Sequence, residues 1–363
     1  MGLSRYFLVF MCLLTFEVVA NEIRLGISNA TQGPASRLGL DLNAGSELYF
    51  NSHHFKQLLP KNTIKLIKYN DGYEPDNTVY NTKVLLKQNV LALFNYVGTP
   101  TSEAVMATVN SNSVPYITPF TGADFLRSKD AKNVFNFRAS YEQEAKAQFT
   151  YLVNRLKLRR IGILIQADAF GLALEKYHIE AFEEHDLKPA VVTRYKRNTL
   201  DVERVANKII QANVEAILFV GTYQPLNEVI RLISADGQHP VYASVSFISS
   251  QVLFDLIPED SKVVITEVVP EPNSCELDLC KQFVLEAKSA GLSPINRVHF
   301  EGYLNAMFFS TAASRCQTQV SRSCLVRSLE SSQFHWGSKL LTFSKQLRQM
   351  NNNIYLNLMN LPE

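Results

Sequence analysis

The chain has 363 residues, which at about 150 residues per domain suggests two domains rather than one. Apolar residues make up 46% and charged residues 19%, enough for a core and contrary to a disordered chain. Thirty-six basic residues against 34 acidic ones leave a net charge of +2, without the concentrated basic face that nucleic acid requires, and nucleic acid is set aside as a partner.

Residues 1–20 read as a secretory signal peptide. Arg5 supplies the positive start, residues 6–16 an apolar run, and Val18-Val19-Ala20 small residues before a cleavage point at Asn21. The run is shorter than the roughly 20 residues of a spanning helix. A lipoprotein reading through Cys12 is the weaker rival, because Phe10-Met11 is bulky. The mature protein is expected to be exported and periplasmic.

From Ile23 onward short β-rich runs alternate with helix-length amphipathic segments. Strands are expected at 23–28, 64–69, 90–94, 114–118, 160–165, 190–195, 216–220, 241–245 and 263–268. Helices are expected at 38–50, 75–88, 141–156, 170–184, 201–212 and 224–235, the last with Leu226, Val229, Ile230 and Ile233 on one face. Such alternation predicts βαβ units and parallel sheets. The series runs twice, about four units up to Arg138 and a second set from Tyr141 to Val269. Helices follow at 277–290, 297–314 and 321–329, and segments of strand character at 340–343 and 354–358 close the chain. The expected fold class is therefore α/β, with two Rossmann-like doubly wound lobes and ligand bound beyond the carboxyl ends of the strands.

Removal of the leader leaves Cys275, Cys280, Cys316 and Cys324. An even number in an exported chain favours disulfides over zinc, since paired C-x2-C knuckles are missing. Of three possible connectivities, the local pairs Cys275–Cys280 and Cys316–Cys324 are expected.

Motifs for catalysis are lacking: there is no phosphate loop, no G-x-S-x-G and no H-E-x-x-H, and no cofactor or metal is expected. His53-His54 reads as a solvated pair, and the acidic turn around Asp71, Glu74 and Asp76 as a helix start. The informative residues lie in loops after strands. In the first half these are Gly98, Thr99 and Thr101, then Phe120, Thr121 and Gly122, where hydroxyls and free N–H groups suit an anion. In the second half they are Asp168 and Phe170, Thr222 and Tyr223, and Ser246, a mixture of polar and aromatic groups suited to a small-ligand cleft. Tyr141, at the start of the second series, completes the candidate set.

Taken in order, these segments resemble the periplasmic substrate-binding proteins of branched-chain amino-acid ABC transporters. The resemblance rests on Leu25-Gly26-Ile27 and Gln32-Gly33-Pro34-Ala35, on NDGYEP from Asn70, VGTPTS from Val97 and TGADFLR from Thr121. FRASYEQE from Phe137, QADAFG from Gln166 and GTYQP from Gly221 extend it to about residue 310. It implies a type I periplasmic-binding fold with a multi-strand hinge. Lobe one would be 21–138 plus 270–336, and lobe two 139–269 plus 337–363. It further implies that Thr99, Thr121 and Gly122 hold a ligand carboxylate. The family's tyrosine is replaced by Phe170, and its ammonium-binding acid by Val245 or Ser246, leaving Asp168 and Glu144 as substitutes. The function implied is capture of a small polar or anionic ligand by a monomer and its delivery to a membrane permease. A sensing module reporting to a membrane receptor is the alternative.

Overall fold

The computed structural model describes residues 21–316 and 319–362, so the leader lies outside the described residues. Two separate sheets carry the chain. In the first, β1 (Asn21–Asn29), β2 (Asn62–Asn70), β3 (Ala92–Phe94), β4 (Tyr116–Ile117) and β5 (Val134–Phe135) lie in the order β2-β1-β3-β4-β5, every pairing parallel. In the second, β6 (Ile161–Gln166), β7 (Val191–Tyr195), β8 (Ala216–Val220), β9 (Val241–Ser244) and β10 (Lys262–Glu267) repeat it as β7-β6-β8-β9-β10. Helices cover both faces, so the central strands β6 and β8 are buried at every residue, as their all-apolar runs require.

In each sheet the order reverses between its first and third strands, and a crevice opens there beyond the strand ends. The loops after β3 and β8 leave from these switch points and carry Thr99 and Thr222.

Three stretches of chain cross between the lobes and hydrogen-bond to one another. Met350 N–H donates to Asn136 O at 3.0 Å and Asn351 N–H to Phe137 O at 2.9 Å, while the Asn351 side chain donates to Val268 O at 2.8 Å. The multi-strand hinge is thus made by segments near 136–139, 268 and 349–351.

The last crossing falls later than the expected boundary at 337. Residues 333–342 form a hairpin of β11 (Gln333–Trp336) and β12 (Lys339–Thr342), whose Phe334, Trp336 and Leu341 join the first lobe's apolar cluster. Phe343 continues the burial against Phe135 and Phe308. Only β13 (Tyr355–Met359) enters the second sheet, antiparallel to β10. The expected helix at 141–156 is α-helical over Tyr141–Phe149 and continues as a π-helical turn over Thr150–Arg155.

Both expected disulfides are present, Cys275–Cys280 and Cys316–Cys324. Among the described residues no helix is long and apolar enough to cross a membrane, and no cluster of metal-ligating side chains occurs.

Candidate functional site

The loop after β3 turns at Gly98, whose φ of +109° is open to glycine, and a helix starts at Thr99. A side chain at Gly98 would also collide with Tyr73, whose Cε2 lies 2.3 Å from the position of a Cβ. Thr99 Oγ1 lies 2.7 Å from Thr121 Oγ1, and the Tyr141 hydroxyl stands 3.5 Å from the first and 3.2 Å from the second. Three buried hydroxyls from three segments therefore converge. Gly122 is required for this, because a Cβ there would meet the Tyr141 ring at 2.4 Å and its backbone nitrogen at 2.6 Å. Thr101 is not part of the group. Its hydroxyl donates back to Val97 O and Gly98 O, at 2.5 and 3.0 Å, and holds its own turn.

Opposite the hydroxyls stands an aromatic wall. Phe170 packs on Tyr141 with ring centroids 5.4 Å apart and on Phe247 at 4.7 Å. Phe247 reaches across to Tyr73 at 5.7 Å and Phe120 at 5.9 Å, and all five rings are buried. Tyr223 does not join them. It is half-buried in a groove at the rim beside Arg37 and Leu256. Thr222 is buried one residue before the helix Tyr223–Ala235, without a side-chain capping bond. Phe247 and Tyr73 were missed by sequence reasoning. Phe247 follows Ser246 directly, and nothing in its local pattern separates a cleft aromatic from a core one.

The two acids considered for a ligand amine are both committed elsewhere. Asp168 Oδ1 accepts from Phe170 N–H at 3.0 Å and Gly171 N–H at 3.3 Å, capping the helix Ala169–Glu184, and Oδ2 accepts from Gln166 at 2.6 Å. Glu144 accepts from Ser246 N–H at 2.8 Å, Ser246 Oγ at 3.0 Å and Thr266 Oγ1 at 2.9 Å. Ser246 thereby links Glu144 to Arg138, whose Nη2 donates to Ser246 Oγ at 2.7 Å. Glu144 is fully buried, whereas Asp168 is partly exposed, with the Arg197 guanidinium 3.8 Å away.

Two motif arginines organise the hinge side of the cleft. Arg127 is buried and donates to the carbonyls of Thr121, Ala123, Arg138 and Ala139, which ties the Thr121 loop to the first crossing. Burial, with the Arg138 charge nearby, lowers its pKa to about 9. Arg138 stacks 4.0 Å above the Phe120 ring and pairs with Glu301 at 3.0 Å. Burial pushes the carboxyls of Glu301 and Glu267 up to about 7, against the pull of the arginines, and raises Glu144 as well.

These acids predict the pH dependence of stability. A carboxyl whose folded pKa lies above its ordinary value of 4.5 adds stability below 4.5 and loses it as pH rises through 7. His178, which burial lowers to about 3, opposes this only as pH falls below its ordinary 6.5. Summing the three groups, the protein is expected to be about 2 kcal/mol more stable at pH 6 than at pH 8. Urea unfolding at the two pH values checks this; a higher midpoint at pH 8 would refute it.

Far from the hinge, Glu74 in the first lobe receives hydrogen bonds from Arg197 and Asn198 of the second, each at 2.6 Å. Asp124 pairs with Lys176 at 3.1 Å. The two lobes thus touch across the cleft mouth and enclose the hydroxyls and rings between them.

Comparison with known proteins agrees with this architecture. The family model for periplasmic binding proteins matches residues 22–358. A possible leucine/isoleucine/valine-binding protein from Rhodopirellula baltica SH 1 superposes with a TM-score of 0.88 at 29% identity, over 95% of each chain. A substrate-binding periplasmic protein from Ralstonia solanacearum gives 0.85 at 25% identity, over 93% of this chain and 97% of that one. An amino acid binding protein of Pseudomonas aeruginosa is 19% identical over 175 residues, 48% of this chain and 47% of that protein. The chain spans about half the length of that curated relative. With a match over nearly its whole described length and two doubly wound lobes joined at a triple crossing, the chain belongs to the periplasmic binding protein family.

Proposed function

We propose that the protein is an exported, monomeric solute-binding protein that captures a small anionic ligand with an apolar remainder and delivers it to an ABC-type membrane permease. It binds without turning its ligand over. The observation that supports this reading most is the asymmetry of the cleft. One wall carries the hydroxyls of Thr99, Thr121 and Tyr141, the other carries Phe170 and Phe247, and the nearest acids already hold their own N–H and hydroxyl donors. Hydroxyls and a helix N-terminus stabilise a carboxylate. Aromatic faces stabilise what is attached to it. Closure of the two lobes around that ligand shifts an equilibrium between open and closed forms.

Native mass spectrometry of freshly purified protein should show a co-purified small anion, and incubation should return it chemically unchanged. A neutral sugar or a cation in the complex would overturn the reading. Thr99→Val removes a hydroxyl while keeping the shape, and should weaken carboxylate binding by about 1–3 kcal/mol, the loss expected for a hydrogen bond to a charged group. Calorimetry showing equal affinity would remove Thr99 from the site. Export is tested by intact mass, which should correspond to a chain beginning near Asn21.

A further inference from the structure

We propose that Tyr73 is a specificity-determining residue of the cleft, its hydroxyl donating a hydrogen bond to a second oxygen of the ligand beyond the carboxylate. This rests on the anionic reading above and extends it. Tyr73 is completely buried, yet its hydroxyl has no hydrogen-bond partner within 3.5 Å; the polar group beside it is the side chain of Gln166, whose amide already donates to Asp168 at 2.6 Å. A buried donor without a partner is costly, and the neighbouring hydroxyls of Thr99, Thr121 and Tyr141 satisfy one another instead.

The backbone is held in an unfavourable form to place that ring. Tyr73 has φ of +63°, a left-handed conformation that bulky residues rarely adopt. Asp71 fixes the turn, accepting from Tyr73 N–H at 2.9 Å, Ser28 Oγ at 2.9 Å and Thr78 Oγ1 at 3.1 Å. The ring lies over Gly98, where no side chain fits, and against Phe247 of the opposite lobe. The Arg197 guanidinium sits 6.0 Å from the ring centroid. The hydroxyl lies within electrostatic reach of Tyr141 on one wall and Asp168 on the other, which places it between the hydroxyl cluster and the second lobe. Burial and the Asp168 charge keep the phenol protonated, so it is a donor.

The ligand class that fits is a small apolar or aromatic carboxylate with one further oxygen. Titration calorimetry on the mature protein would compare two matched pairs, 4-methyl-2-oxopentanoate with 4-methylpentanoate and 4-hydroxyphenylacetate with phenylacetate. The oxygen-bearing member of at least one pair should bind about tenfold tighter or better. Tyr73→Phe should erase that preference while changing the affinity of the other member by less than about twofold. Its melting temperature should be unchanged or higher, since an unpaired hydroxyl is lost. A preference that survives in Tyr73→Phe, or a wild type that shows none, overturns the assignment. The amide of the preferred acid separates the two readings. An amide that binds as tightly as the acid and loses affinity in Tyr73→Phe would sustain the role of Tyr73 and overturn the anionic reading. A wild type that binds none of the four acids overturns both.

Discussion

Leucine, isoleucine and valine are expected to bind about a thousandfold more weakly than the 2-oxo acids that correspond to them. Each pair shares a side chain and a carboxylate, and differs in whether an ammonium or a carbonyl oxygen enters the closed cleft. Burying an ammonium without a partner costs several kcal/mol, and 1.4 kcal/mol corresponds to tenfold in affinity. The partner would have to be Asp168 or Glu144. Asp168 could turn toward the ligand only by releasing the N–H groups of Phe170 and Gly171, a helix cap that contributes about 1 kcal/mol. Glu144 could turn only by abandoning three donors, two of which hold the Ser246 loop. Phe170 offers no hydroxyl in compensation. Competition calorimetry decides the matter: micromolar affinity for leucine would overturn the prediction and assign the ammonium to Asp168, in which case Asp168→Asn should abolish it.

How much of this was legible in the sequence depended on the range of the interaction. The strands β8 and β9 and the helix Arg297–Ser314 are written in local apolar runs and periodicity, and so is the repetition of one strand order in two lobes. Thr99 and Thr121 were legible because a strand end followed by a hydroxyl and a glycine is a local pattern. The fate of Thr101 was not, since a threonine two residues further on satisfies itself by bonding backward to Val97 and Gly98. Tyr223 failed for a different reason. The lobes meet so that Phe247 fills the place opposite Tyr141 through Phe170, and which aromatic does so depends on the approach of two sheets distant in sequence. The two-residue β5 and the first strand of the hairpin, β11, carry too few alternating positions to register as a pattern, whereas its second strand, β12, was legible at 340–343. Arg138 stood in a recognised motif, but its role needed Glu301, 163 residues away.

Arg138→Met should destabilise the protein by about 3–5 kcal/mol at pH 8, the cost of breaking a buried ion pair by removing one partner. Methionine fills much of the arginine volume and keeps the contact with Phe120, so the loss is electrostatic rather than a cavity. Glu301 would lose the guanidinium that pairs with it at 3.0 Å, and Ser246 the donor that fixes its hydroxyl. Arg138 also holds down the pKa of Glu144, Glu267 and Glu301, so its removal pushes all three buried carboxyls further up. The sign follows from linkage. These groups already bind protons more tightly in the folded state than in the unfolded one, and the variant widens that difference, so lowering the pH neutralises the stranded carboxyls and restores stability. The deficit relative to the wild type should therefore be largest at pH 8 and smaller at pH 6. Adding Glu301→Gln to Arg138→Met removes one stranded charge and should recover a substantial part of the loss at pH 8, with little effect at pH 6. Denaturant unfolding of the three proteins at the two pH values measures all of this. A deficit that is the same at both pH values and untouched by Glu301→Gln would mean that Arg138 stabilises the hinge through its packing on Phe120, and that the carboxylates around it are hydrated.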